Sequence, residues 1–112
     1  MSQSKEEFKK RTGDWAGKIG VQINTISLRR MKNKWASYTE RSGLLIFNAE
    51  LLDMDEKLID YVIVHELLHF LVPNHGRLWK SMMTGFIPDW KDREEALAGS
   101  RKKTSASAGG RK

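Results

Sequence analysis

Residues 56–79 read EKLIDYVIVHELLHFLVPNHGRLW, and this stretch decides the fold. Leu58, Ile59, Val62, Ile63, Leu67, Phe70 and their apolar neighbours face nearly every direction around a helix axis. A helix without a polar face belongs inside a core. The pattern predicts a buried central helix over about 56–71, opened by Asp53 or Asp55. Pro73 stops it by removing a donor and pushing Val72 out of the α region. Two histidines and a glutamate, His65, His69 and Glu66, lie inside this otherwise apolar segment.

Outward from the central helix the chain reads as α+β. Ser4 followed by Glu7 is a capping-box pattern, and Phe8, Trp15 and Ile19 share one face of a helix over about 4–18. Residues 21–28, 35–39 and 44–47 suit three short strands, the last two joined by the turn Glu40-Arg41-Ser42-Gly43. A small three-stranded antiparallel sheet is expected. Asn48 caps a short helical turn at 49–52. After Pro73, Asn74 caps a helix over about 75–86, and Pro88 starts a last one over about 89–98.

The 112 residues make one small domain, and the absence of Cys rules out disulfides, Cys-ligated zinc and thiol nucleophiles. The polar N-terminus is no signal peptide, and no apolar run reaches the roughly 20 residues of a membrane span. A soluble, cytoplasmic protein is expected. The net charge of +6 is concentrated at one end. Arg101, Lys102, Lys103, Arg111 and Lys112 fall in residues 99–112, which contain no acid and no apolar residue larger than Ala. That composition predicts a folded domain over 1–98 and a disordered basic tail over 99–112. Any contact of the tail with nucleic acid would be weak and salt-sensitive.

His65-Glu66-Leu67-Leu68-His69 is an HExxH motif on a helix. Residues four apart lie about 6 Å apart along the axis and about 40° around it, so both imidazoles can reach one ion. Glu66, turned by about 100° from His65, falls beside the ion's bound water, where it can act as general base. A catalytic zinc takes three protein ligands and an open fourth position. His75 is the remaining histidine of the chain's 3 and lies just past the helix stop. One zinc held by His65, His69 and His75 is therefore predicted. The plainer alternative, hydrogen-bonded core histidines, must find a separate partner for a buried carboxylate and two imidazoles, since an unpaired buried charge costs several kcal/mol.

The stretch 26–97 resembles the YgjP-like metallopeptidase domain, related to SprT-like and other small zinc peptidases. The matching blocks are SLRRMKNKWAS (27–37), GLLIFNAELL (43–52), IDYVIVHELLH (59–69), PNHGRLW (73–79) and IPDWK (87–91). The resemblance implies a minimal gluzincin-like fold with the HExxH helix beside a three-stranded sheet. It also implies zinc on His65, His69 and His75 with Glu66 as the catalytic acid–base. Two departures matter. Trp35-Ala36-Ser37-Tyr38 stands where the family commonly has Trp-Gly-Ser-Cys. Val72 stands where metzincins, which share the histidine spacing, place Gly, and no Met-turn follows.

The expected function is thus a zinc-dependent peptidase acting on a peptide or protein substrate. Arg29, Arg30, Lys32 and Lys34 form a basic cluster that either steers an acidic substrate towards the metal or is simply solvated. Tyr38 is either a donor to the oxyanion or a surface strand residue. Trp79 and Trp90 read as core. Two alternatives differ in class. A metal-activated water beside the basic cluster could cleave a nucleotide phosphoanhydride. Alternatively, zinc could stabilise a non-catalytic module that docks on nucleic acid.

Overall fold

Ser4 opens the first helix as its sequence predicts. Its Oγ accepts the Glu7 N–H at 3.1 Å while Glu7 Oε1 accepts the Ser4 N–H at 2.9 Å, a reciprocal cap. Helix α1 runs Lys5–Ile19 and closes on Gly20, whose φ of 89° is a left-handed conformation suited to a residue without Cβ. Phe8, Thr12 and Ala16 form its buried face, and the Thr12 hydroxyl is satisfied by the Phe8 carbonyl at 2.9 Å. The computed structural model describes residues 4–39, 41–72 and 74–104, with side chains up to residue 99.

Strands β1 (Thr25–Arg29), β2 (Ala36–Thr39) and β3 (Leu44–Asn48) form one sheet in the order β1-β3-β2. The sheet is mixed, where the sequence predicts an antiparallel one. β2 is antiparallel to β3, with Ala36 opposite Phe47. β1 is parallel to β3, from Thr25 opposite Leu44 to Arg29 opposite Asn48. The two connections explain the difference. Arg41–Gly43 is a tight turn with Gly43 at φ 68°, and it folds β2 straight back on β3. Residues 30–35 contain no glycine for a two-residue hairpin turn. They arch over the end of β3 instead, held by the fully buried Asn48. Asn48 Nδ2 donates to the carbonyls of Met31 and Lys34, at 3.0 and 2.9 Å, and the Asn48 N–H donates to the Trp35 carbonyl at 2.8 Å. On β3, Leu45 and Phe47 are fully buried, and Phe47 meets Phe8 edge-on with centroids 5.0 Å apart.

Asn48 Oδ1 also accepts the Glu50 N–H at 3.0 Å and starts a 3-10 turn, Ala49–Asp53. Helix α2 follows at Glu56–Leu68, with Asp55 rather than Asp53 as its cap. Ile59, Tyr61, Val62, Ile63, Val64, Leu67 and Leu68 are buried, so the helix fills the core as expected. Arg11 Nη1 and Trp15 Nε1 both donate to Asp60 Oδ1, at 2.7 and 2.9 Å, fastening α1 to α2.

α2 is shorter than the sequence predicts. His69 is its C-cap, and the N–H groups of Phe70 and Leu71 bond back to Leu67 and Leu68 at 3.0 Å each. Such i to i−3 bonds tighten a last turn and satisfy its carbonyls. Pro73, the expected terminator, lies outside the described residues, as does Glu40 of the hairpin turn. Helix α3 is Arg77–Phe86, and it starts after His75, not at it. Asn74 is not its cap: Asn74 Oδ1 accepts the Gly76 N–H at 3.0 Å in a local turn. His75 is thereby left in a loop. Helix α4, Trp90–Thr104, continues past Ala98 into the segment read as tail. Ala96, Ala98 and the Arg101–Lys103 run are good helix formers, and basic residues suit a helix C-terminus. The rest of the tail, 105–112, lies outside the described residues. Among the described residues no helix is long and apolar enough to cross a membrane.

Candidate metal centre

α2 carries His65 on its last full turn and places His69 at its cap, both half-buried. The tightened end of α2 and the Asn74 turn then bring the exposed His75 back onto the same spot. Each histidine offers one ring nitrogen, and these nitrogens lie within 4.8 Å of one another. His69 Nε2 and His75 Nε2 are 2.9 Å apart. Ring centroids are 5.2 Å apart for His65 and His69, 4.8 Å for His65 and His75, and 4.6 Å for His69 and His75. Glu66 is beside them, with Oε2 3.2 Å from His65 Nδ1.

The donor set can be tested against an ion. Two nitrogens each bound tetrahedrally at 2.0–2.1 Å are about 3.4 Å apart. The 2.9 Å between His69 and His75 and the 4.8 Å bound on the set lie on either side of that value. Three imidazoles with no competing thiolate suit zinc. Electrostatics points the same way. Slight desolvation of the mostly exposed ring, together with the neighbouring His65 and His69, holds the His75 imidazole below its ordinary range, against the opposing pull of Glu66 and Glu94. A ligand histidine must be neutral, so this shift favours coordination. Tyr61, whose ring lies 5.6 Å from His65, has its phenol pushed well up by burial, with Glu94 and Glu66 adding to the effect.

The other residues singled out by sequence fall differently. Tyr38, on β2, packs its ring on Phe70 at 4.2 Å, next along the chain from His69. Arg29 ends β1 opposite Asn48 and Arg30 opens the arch that Asn48 holds. Among the described residues, no hydrogen bond, ion pair or ring contact joins Arg29 or Arg30 to the histidines. Trp79 is buried, as its sequence suggests, but buried against all three imidazoles, which the sequence reading missed. Its position on the first turn of α3, four residues after His75, was the available signal.

Fold and cluster together describe a minimal metallopeptidase scaffold, and comparison with known proteins agrees. Residues 1–100 match the model of the YgjP-like metallopeptidase domain, and the chain belongs to that family. An uncharacterized protein of Methanocaldococcus jannaschii is 35% identical over 89 residues, spanning 72% of this chain and 81% of the relative. Among solved structures, the metallopeptidase zymogen of M. jannaschii jannalysin superposes with a TM-score of 0.74 at 24% identity, covering 83% of this chain and 95% of that one. The metallopeptidase zymogen of Pyrococcus abyssi abylysin gives 0.74 at 17% identity, covering 83% and 93%. At these identities the two structures speak to the fold, which they share with this chain.

Proposed function

We infer that the chain is a zinc-dependent peptidase in which His65, His69 and His75 hold one ion and Glu66 is the general base. The observation that carries this reading is the convergence of three imidazoles from α2 and the following loop, within 4.8 Å, beside a half-buried carboxylate. Zinc there would supply polarisation of the scissile carbonyl and a lowered pKa for the attacking water. Glu66 moves the proton: its carboxylate takes one from the water and delivers it to the departing amine nitrogen. The new C–O bond forms first, and the C–N bond breaks when the tetrahedral adduct collapses with the amine protonated, leaving a free carboxylate and a free amine.

β2 is an edge of the sheet, and Tyr38 on it touches the residue that follows His69. An extended peptide pairing with that edge would lie along the approach to the histidines, main chain to main chain. Tyr38 is then available as a donor to the substrate carbonyl.

The test joins metal analysis to peptide cleavage on the purified protein and on Glu66→Gln. The variant should keep zinc near one per chain and lose turnover by about 10²–10⁴-fold, the usual worth of a general base. A variant that loses its zinc would make Glu66 structural. A wild-type protein that binds no zinc removes the reading.

A further inference from the structure

Metal-bound histidines are normally held by their second ring nitrogen, which donates to a carboxylate or carbonyl. Among the described residues, that kind of support reaches His65 alone, through Glu66. His69 and His75 have each other as polar partners. What all three share is one aromatic wall. Trp79, 3% exposed, sits with its ring centroid 4.6 Å from His75 and 5.1 Å from His65, both approached edge-to-face at 63° and 75°. His69 lies more nearly parallel to it, at 6.5 Å and 27°. The wall is itself braced: Trp90 meets Trp79 at 5.5 Å and 85°, and Trp90 Nε1 donates to Thr84 Oγ1 at 3.0 Å.

We propose that Trp79 is a positioning residue of the metal centre, its indole setting the ring orientations of His65, His69 and His75. This rests on the zinc reading above and adds to it the group that aims the ligands. The buried Trp79 Nε1 has no hydrogen-bond partner among the described residues. An unsatisfied buried donor is a cost that Phe would not carry. If Trp79 were only filler, Phe would be a mild change. If it aims the rings, Phe withdraws the part of the wall that they lean on.

Trp79→Phe and Trp15→Phe form the test, since both trim a tryptophan packed on the core and Trp79 is the one in ring contact with the histidines. Zinc affinity is measured by chelator competition, and ligand geometry by the visible spectrum of the cobalt-substituted protein. Trp79→Phe should still take one metal per chain but bind it about tenfold or more weakly, the range for lost outer support, with displaced cobalt bands. Trp15→Phe, which loses the bond to Asp60, should lower the thermal midpoint while leaving affinity and bands unchanged. Equal affinities and spectra for wild type and Trp79→Phe, or equal losses in both variants, overturn the proposal and leave the zinc reading intact. A wild type that binds no metal ends the zinc reading itself.

Should Trp79→Phe fail to fold, the wild type is labelled with 5-fluorotryptophan. Its fluorine resonances are assigned through Trp15→Phe, Trp35→Phe and Trp90→Phe. The remaining resonance, Trp79, should move furthest on adding zinc, and a stationary Trp79 signal overturns the proposal.

Discussion

Asn48 offers the sharpest test of how this chain builds its sheet. Its side chain makes three hydrogen bonds from a fully buried position, to the Met31 and Lys34 carbonyls and from the Glu50 N–H. Asn48→Ala removes all three. At roughly 0.5–1.5 kcal/mol net for each bond, the loss is about 3 kcal/mol. That is a large part of the 5–15 kcal/mol typical of a domain, and about 12–24 °C in Tm at this size. Asn48→Asp is almost the same shape, yet it sets a carboxylate oxygen where Nδ2 now stands, 2.9 and 3.0 Å from two carbonyl oxygens. Burying that charge unpaired should make Asp worse than Ala.

The two substitutions also separate by pH. In the Asp variant the carboxyl is held above its unfolded value of about 3.9. Its penalty is present in full above the folded pKa and shrinks as pH falls through that value towards the unfolded one. Urea denaturation followed by circular dichroism, at pH 7 and near pH 4.5, measures both effects. The Asp variant should recover part of its deficit against wild type at the lower pH, while Ala should not. An Ala variant within about 0.5 kcal/mol of wild type, the usual range of an indifferent surface change, would mean the arch over β3 is not held by Asn48. Asp as stable as Ala would refute the donor assignment.

Three further outcomes are expected. His75→Ala should weaken zinc binding by more than the roughly 10–100-fold of an outer-shell change; wild-type affinity by chelator competition would require another third ligand. Gly13 lies inside α1, and a Cβ there meets nothing within 4 Å. Gly13→Ala should therefore stabilise by about 0.5–1 kcal/mol, a rise of roughly 2–8 °C by calorimetry, and a lower Tm would contradict the open space around it. In metal-free protein His75 titrates below its ordinary 6.5. As pH falls below 6.5 the unfolded chain takes that proton first, so stability drops, and above 6.5 the effect vanishes. His75→Ala should flatten this part of the denaturation profile; an unchanged slope would assign it to other groups.

What the sequence disclosed was local. The Ser4–Glu7 cap, the Asp55 cap, the Asn48 turn and the apolar circumference of α2 each depend on residues a turn or two apart, and each is present. The histidine spacing is equally local, and it brings His65, His69 and His75 together. The misjudged features depend on distance along the chain. β1 lies parallel to β3 because the 30–35 arch is fastened by Asn48, a pairing no periodicity encodes. Asp60 meets Arg11 and Trp15 from α1, a pairing across 45 or more residues that no local pattern signals. The end of α2 was overextended because Leu71 continues the apolar run, yet Leu71 is 46% exposed and lies in the tightened turn. Composition shows what a side chain prefers, whereas the tertiary fold decides which preferences are met.

The placement of the three histidines carries a consequence for stability as well as chemistry. Two sit on α2, whose flanking residues Val64, Leu67 and Leu68 are locked in the core. The third is exposed, in a loop shaped by the Asn74 turn, just before the α3 residue that forms the aromatic wall. The cluster is thus half rigid and half adjustable. A rigid pair fixes where an ion would sit, and the loop lets His75 shift its Nε2, now 2.9 Å from His69 Nε2, towards the roughly 3.4 Å of a tetrahedral site. An ion bound this way would tie the end of α2 to the start of α3. By linkage, binding at 100-fold over Kd would add about 2.7 kcal/mol to the stability of the whole domain. In a chain this short, the atoms that would perform the chemistry would also help to hold the fold together.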